Sequence, residues 1–516
     1  MIIKVVMLVV FFGIMVGIGL YCRKNSTDVN GFVLGGRQVG PWLTAFAYGT
    51  SYFSAVVFVG YAGQFGWKYG IAATWAGIGN AILGSLLAWM VLGRRTRIMT
   101  QHLDSATMPQ FFSARYDSRG LKLFSSAVIF IFLIPYTASL YNGLSRLFGM
   151  AFDLPYEYCV IGMSVLTAVY VIAGGYMATA INDFIQGIIM IVGIIAVIIA
   201  VVESKGGLSV ALDSLSQITS EAENISLGDL TSFFGPDPIN LFGVVILTSL
   251  GTWGLPQMVQ KFYAIKNEKA ITKGTVISTL FALIVAGGCY FLGGFGRLFT
   301  PDYAANGSVI YDSIVPNMLN GLSDVLIGVV IVLVLSASMS TLSSLVLASS
   351  STLTLDFIKE KIASKMTEKK QVFTMRVLIL VFIVISAVIA IVQHNSSITF
   401  IAQLMGVSWG ALAGAFLAPF LYGLYWKRTT KASVWVNISF STLFMLTNLI
   451  GNVYKIDIFP TILKSPINAG AFCMLIGLII VPVVSVFTKK PDEEKVEKLF
   501  SCYSKEITVS IKDHIG

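Results

Sequence analysis

The residues best suited to chemistry in this sequence are neutral oxygens set inside apolar stretches. The run Leu335-Ser336-Ala337-Ser338-Met339-Ser340-Thr341-Leu342-Ser343-Ser344 is dense in hydroxyls. On a helix, positions 337, 340 and 341 share one face through three- and four-residue spacing. The Ala337 carbonyl and the Ser340 and Thr341 hydroxyls would offer three oxygens to a hard monovalent cation such as sodium. Such an ion can be held by carbonyls and hydroxyls without a carboxylate. A second small, hydroxyl-rich stretch runs from Ala47 through Thr50, Ser51 and Phe53 to Ser54. If it interrupts a helix, the carbonyls of Thr50 and Phe53 join the set. Small polar runs serve equally well to pack membrane helices, so cation binding and packing stand side by side here.

Asp183, in Asn182-Asp183-Phe184-Ile185-Gln186, is the ionisable group best placed within an apolar segment. Charged groups at membrane depth are costly and usually face a cavity or an ion path. The alternative role is to cap a helix N-terminus there. No nucleophile, base and orienting group recur at a recognisable spacing, which argues against an enzyme. Cys22, Cys159, Cys289, Cys473 and Cys502, like His102, His394 and His514, are scattered without ligand-like spacing.

The elements that must position these residues are membrane helices. Of the 516 residues, 56% are hydrophobic and 12% charged, far from the composition of a soluble domain. Reading hydropathy with Gly, Pro and charge as punctuation predicts an all-α polytopic membrane protein of about thirteen transmembrane helices. The first apolar run is followed by Arg23 and Lys24 rather than a small-residue cleavage site, so it reads as a retained helix. The runs are continuous, unlike the alternating strands of a barrel. The second span, 41–66, contains the Ala47–Ser54 stretch, and the seventh, 238–262, contains Gly251-Thr252-Trp253-Gly254-Leu255-Pro256. Two interrupted helices five spans apart point to a transporter with an inverted repeat and a site at the bilayer midplane.

Arginine and lysine fall in alternate loops, including Arg37, Arg94 to Arg97, Arg115 to Lys122, Lys261 to Lys273 and the run from Lys359 to Arg376. The positive-inside rule makes these loops cytoplasmic, with the N-terminus extracytoplasmic and the C-terminus cytoplasmic in a cell inner membrane. The segment 203–237 is acidic and lies on the other side. The +9 net charge is thus explained by topology, and nucleic-acid binding is not indicated. No glycine-rich nucleotide loop appears, so uphill transport would draw on an ion gradient.

The stretches GGRQVGPWLTAFAYGTS, GGYMATAINDFIQG, GLPQMVQKFYAIKN, MSTLSS and GLYWKRTTKAS together resemble the sodium/solute symporter family, which includes carriers of proline, pantothenate, sialate and glucose. The likeness covers nearly the whole chain and is nearest the proline and pantothenate branch. It implies a first helix and loop at 1–40, inverted repeats at 41–202 and 238–425 around the 203–237 loop, further helices at 426–488 and a tail at 489–516. It also implies sodium as the coupling ion, bound by Thr50, Phe53, Ala337, Ser340 and Thr341, with Asp183 as a way-station. The solute is then expected against Ser51, Ser54, Val56, Tyr136, Thr248, Thr252 and Trp253. Proline carriers show an aspartate where this chain has Tyr52, a tryptophan at Val56 and a tyrosine at Thr252. These departures count against proline, and the GLPQ turn with the following AIKNEKA reads closer to pantothenate carriers; the expected cargo is a small amino acid or carboxylate such as proline or pantothenate. Sialic acid, a sugar, proton coupling and a non-transporting solute sensor stand as alternatives.

Overall fold

The computed structural model describes residues 2–23, 27–152, 154–304, 307–394 and 401–504. Lys24, His514 and the end of the 489–516 tail lie outside the described residues, as do the side chains of Tyr52 and His394. The described chain is helical throughout, and its strand-like pairing is confined to isolated bridges. The helices used below are α1 (Ile2–Cys22), α2 (Pro41–Tyr52), α3 (Ala62–Tyr69), α4 (Arg119–Phe152), α5 (Tyr156–Glu203), α6 (Pro238–Gly254), α7 (Pro256–Ala264) and α8 (Glu268–Ala282). They continue with α9 (Asp324–Thr352), α10 (Glu368–His394), α11 (Ile401–Tyr425), α12 (Lys431–Tyr454), α13 (Pro466–Phe487) and α14 (Glu493–Phe500).

Local chemistry sets many of the boundaries. Asp237, Asn267, Ser323 and Thr430 each precede a helix and accept a hydrogen bond from a backbone N–H in its first turn, filling donors that a helix start leaves free. Pro238 and Pro256 sit at first helical positions, where the missing N–H is harmless.

Ten helices among the described residues are long and apolar enough to cross a membrane, or eleven if α6 and α7 are taken as one bent span. The sequence predicts about thirteen, and the difference has two causes. The α2 helix stops at Tyr52 after 12 residues and α3 follows only after a π-helical turn at Val56–Tyr61, so this span is split by its own break. The predicted fifth and sixth spans remain two helices within α5, meeting where Gly175 takes φ +57° and ψ −152°, and the first of them counts only as a shorter apolar helix, Tyr156–Val169.

The kink disposes of one reading of Asp183. Helical geometry resumes directly after Gly175, so Asp183 lies inside a helix and does not cap one. Gly175 is needed at the kink because left-handed φ strains other residues, and a Cβ there would stand 2.9 Å from both Phe32 Cδ2 and the Phe32 carbonyl oxygen.

The elements are ordered by burial around α9 and α11. In the apolar window of α11 94% of residues are buried, and in that of α9 78%, against 17% for α1. The first helix is therefore an outer layer, attached to α5 where Asn182 Nδ2 donates to the Met15 carbonyl at 3.4 Å. At the other end of the chain α14 folds back. Lys427 bonds Glu497 at 2.6 Å, and the Arg95 guanidinium lies between the rings of Tyr425 and Tyr503 at 4.1 and 4.6 Å.

Gly175→Ala is expected to destabilise the protein by at least the ~1–2 kcal/mol of left-handed strain, seen as a lower melting temperature in detergent. An unchanged melting temperature would mean that the kink is not set by this glycine.

Candidate functional site

The interrupted second span is built by sequence that cannot keep a helix going and by a neighbour that replaces the lost bonds. Phe53 takes an extended conformation (φ −84°, ψ 119°), which ends α2 and leaves carbonyls of its last turn without helical donors. Beyond the break, Val57 and Phe58 N–H both donate to the Ser54 carbonyl at 3.0 Å. The Ala55 N–H points away from its own chain, donating to Ser338 Oγ of α9 at 3.3 Å.

The hydroxyls of α9 meet the freed carbonyls from the other side. Ser340 Oγ lies 3.1 Å from the Thr50 carbonyl oxygen and 3.0 Å from that of Ala337. Thr341 Oγ1 lies 3.2 Å from the Thr50, 3.3 Å from the Phe53 and 3.1 Å from the Ala337 carbonyl oxygen. Each hydroxyl has one proton, so neither can donate to all these acceptors at once. The result is a cluster of five oxygens, richer in lone pairs than in protons, with every contributing residue buried. A hard cation the size of calcium holds oxygens at about 2.3–2.6 Å, and sodium is of similar radius. Neighbouring oxygens around such an ion stand slightly further apart than those here, so a small expansion admits it.

The second break, between α6 and α7, is constructed differently. Leu255 is extended, and the two helices meet at 45°. Thr252 Oγ1 lies 2.9 Å from both the Gly84 and Ser249 carbonyl oxygens, and Trp253 Nε1 donates to the Leu83 carbonyl at 2.8 Å. The Gly84 and Leu83 carbonyls belong to the π-helical turn Asn80–Leu87, where widened geometry leaves carbonyls available. Thr248 Oγ1 donates to the Val244 carbonyl within its own helix. In this conformation Thr248, Thr252 and Trp253 thus serve helix bonding and packing.

The remaining candidates separate into two groups. Ser51 Oγ bonds Ser344 Oγ at 2.9 Å and donates to the Ala47 carbonyl, while Val56 is buried at the start of the π-helical turn. Ser54 and Tyr136 come together with a residue that the sequence did not single out, Trp409 of α11. The Tyr136 and Trp409 rings are edge to face at 5.9 Å, and the Tyr136 hydroxyl faces Ser54 and Trp409. All three polar atoms are buried, and none has a hydrogen bond of good geometry. Gln257, one residue into α7, likewise keeps both ends of its buried amide unpartnered. An indole and an amide in apolar helices look like packing in a sequence; only the unfilled polar atoms mark them.

Lys261 also departs from expectation. The sequence places it in a cytoplasmic loop, but α7 runs on to Ala264 and the lysine is buried inside the helix layer. Its ammonium stands 3.8 Å from Asp183 Oδ2 and donates to Ser344 Oγ at 3.0 Å.

The two ends of the bundle are unlike. At the end bearing Arg37, Arg97 and Lys266, backbone bonds join the chain before α2 to the chain after α7: Val39 N–H to the Ala264 carbonyl at 3.2 Å and Lys266 N–H to the Val39 carbonyl at 3.0 Å. Arg37 donates to the Tyr263 and Ser105 carbonyls, and Arg97 to the Ile265 carbonyl. At the far end of the broken span, a cavity of about 940 Å³ is lined by Gln64, Lys68, Tyr69, Glu223, Asp237 and Tyr311 among others.

A sequence profile of the sodium:solute symporter family matches residues 32–436. The chain belongs to the sodium:solute symporter family. Among its relatives in this family are sodium/proline symporters of Staphylococcus aureus strains, 30% identical over 440 residues, covering 83% of this chain and 82% of theirs. A solved sodium-coupled sialic acid symporter in a substrate-bound, outward-open state superposes with a TM-score of 0.75 at 16% identity, over 95% of this chain and 99% of the other. A manganese transporter of Eremococcus coleocola aligns more loosely, with a TM-score of 0.50, 13% identity and coverage of 89% and 95%. Both structural likenesses concern the fold.

Thr252→Val keeps the shape of the side chain and removes its bonds to Gly84 and Ser249. The Gly84 carbonyl retains its bond from the Tyr48 hydroxyl, so a loss of about 1 kcal/mol is expected. Adding Tyr48→Phe strips Gly84 of both side-chain donors and should cost more than the sum of the single changes. Strict additivity in thermal melts would show that the two donors do not share this acceptor.

Proposed function

We propose that the chain is a secondary active transporter that couples sodium entry to uptake of a small organic solute by alternating access. The observation that carries this reading is the five-oxygen cluster of Thr50, Phe53, Ala337, Ser340 and Thr341 between the broken α2 and α9. Sodium bound there replaces the hydroxyl-to-carbonyl bonds with stronger ion–oxygen contacts and orders the break. Ordering the break fixes Ser54 beside Tyr136 and Trp409, so solute binds more tightly when sodium is present. The coupling is reciprocal: solute tightens sodium by the same factor.

The solute is assigned to the region of Ser54, Tyr136, Trp409 and Gln257, whose unfilled polar atoms suit a small polar molecule with an apolar body. Two helix starts, after Ser54 and at Pro256, present partial positive charge of the kind that receives a carboxylate in transporters with broken helices. A carboxylate-bearing solute fits this setting, and proline is the first compound to test, given the named activity of the Staphylococcus aureus relatives. The basic end is assigned to the cytoplasm by its arginines and lysines, which puts the N-terminus outside and the cavity at Gln64–Tyr69 on the extracytoplasmic side. The repeats are assigned to 41–202 and 238–425. In that orientation the backbone bonds of Val39 close the inner side, in keeping with the outward-open state of the sialic acid symporter whose fold this chain shares.

In liposomes with an inward sodium gradient, purified protein should accumulate radiolabelled proline, or else pantothenate, above equilibrium; accumulation of equal size with potassium in place of sodium would overturn the reading. Thr341→Ala removes one oxygen of the five. It should raise the sodium concentration for half-maximal uptake roughly tenfold, equivalent to about 1.4 kcal/mol, with Ser340→Ala acting in the same direction. Sodium dependence identical to the wild type in both variants would exclude this cluster as the ion site.

A further inference from the structure

Asp183 and Lys261 form the only ion pair among the described residues with both side chains almost wholly buried, at 0% and 3% exposure. An isolated buried pair of this kind is usually no gain in stability over apolar residues of similar size, so its position invites a functional account. The ammonium has three neighbours: Asp183 Oδ2 at 3.8 Å, Ser344 Oγ at 3.0 Å and the face of the Tyr176 ring at 5.1 Å. The carboxylate is less well served. Neither of its oxygens has a hydrogen bond, and 3.8 Å places Lys261 close enough for charge attraction but beyond hydrogen-bond reach.

This group is continuous with the five-oxygen cluster. Ser344 Oγ is 2.9 Å from Ser51 Oγ; Ser51 follows Thr50 in the chain, and Ser344 lies one helical turn beyond Ser340 and Thr341 on α9. An acid with open lone pairs, a hydroxyl and an aromatic face make a cation-binding arrangement. Here the cation that sits in it is part of the protein.

We infer that Lys261 is a tethered cation: its ammonium takes a position beside Asp183 and Ser344 that would otherwise accept a second monovalent ion, and so holds sodium binding to one ion per chain. The inference rests on the proposed reading of the five-oxygen cluster as a sodium site. A free sodium ion entering beside Asp183 must displace a charge that cannot diffuse away, because α7 is fastened through Ala264 and Lys266 to Val39. Removing the lysine charge exposes the carboxylate to whichever cation the solution offers.

The test is equilibrium binding of radioactive sodium to purified protein, which counts ions without requiring transport. The wild type and Lys261→Arg should bind one ion with a Hill coefficient near 1. Lys261→Met should bind two ions with a Hill coefficient above 1, and Asp183→Asn/Lys261→Met should return to one. Two ions on the wild type, or one on a folded Lys261→Met protein, would overturn the inference. No saturable sodium on the wild type would instead refute the proposed function itself. If Lys261→Met does not fold, Asp183→Asn supplies the decision. It leaves the ammonium unpaired near the cluster and should weaken sodium binding at least several-fold by repulsion. The charge-free pair Asp183→Asn/Lys261→Met should recover that affinity, and equal affinities of the two would overturn the inference.

Discussion

A peptide group that loses its helical partner inside a bilayer finds no water to replace it, and the centre of this protein is organised by that constraint. At Phe53 the second span gives up helical geometry, and the exposed carbonyls meet hydroxyls rather than hydrocarbon. The supply of hydroxyls from α9 is thus a condition for the break to exist, whatever else it does. Its placement explains why α9 is among the most buried helices and why its sequence is rich in serine at positions where leucine would give better packing. The same economy operates at the other break, where Thr252 and Trp253 find carbonyls released by the widened turn at Asn80–Leu87.

The two breaks nonetheless differ in what they leave unfinished. Between α6 and α7, the side chains at the bend are bonded to fixed backbone oxygens. Between α2 and α9, two protons face three carbonyl oxygens, so the cluster is electrically incomplete while geometrically closed. An arrangement short of positive charge and lined by neutral oxygens suits an ion of single charge, because a divalent cation would demand carboxylates to offset its desolvation.

Much of this was legible in the sequence because membrane helices announce their irregularities. The hydroxyl run at 335–344 and the glycine- and proline-containing stretch at 251–256 stand out against apolar surroundings, and helical spacing brings 337, 340 and 341 to one face. Thr50 and Phe53 stand in a third such stretch, Ala47–Ser54, and their gathering with Ala337, Ser340 and Thr341 is what the resemblance to the family implied. Other features had no such mark. Hydropathy cannot distinguish a loop lysine from Lys261, since the deciding fact is that α7 continues to Ala264 and buries it against Asp183. Nor does periodicity report that the fifth and sixth spans meet directly at Gly175, or that Trp409 presents its indole to Tyr136. Those depend on which helices become neighbours, and apolar helices in lipid carry little sequence information about their neighbours.

The short parallel pairing of Val39 with Ala264 and Lys266 is made entirely of main-chain atoms. A fastening of that kind is nearly blind to side-chain substitution, so relatives can diverge freely at these positions without altering how firmly this end of the bundle is held. Tuning must come from the guanidinium groups of Arg37 and Arg97, which grip the Tyr263 and Ile265 carbonyls on the α7 side of the seam. Differences in resting conformation among diverged homologues should then trace to those two arginines rather than to the residues that form the seam.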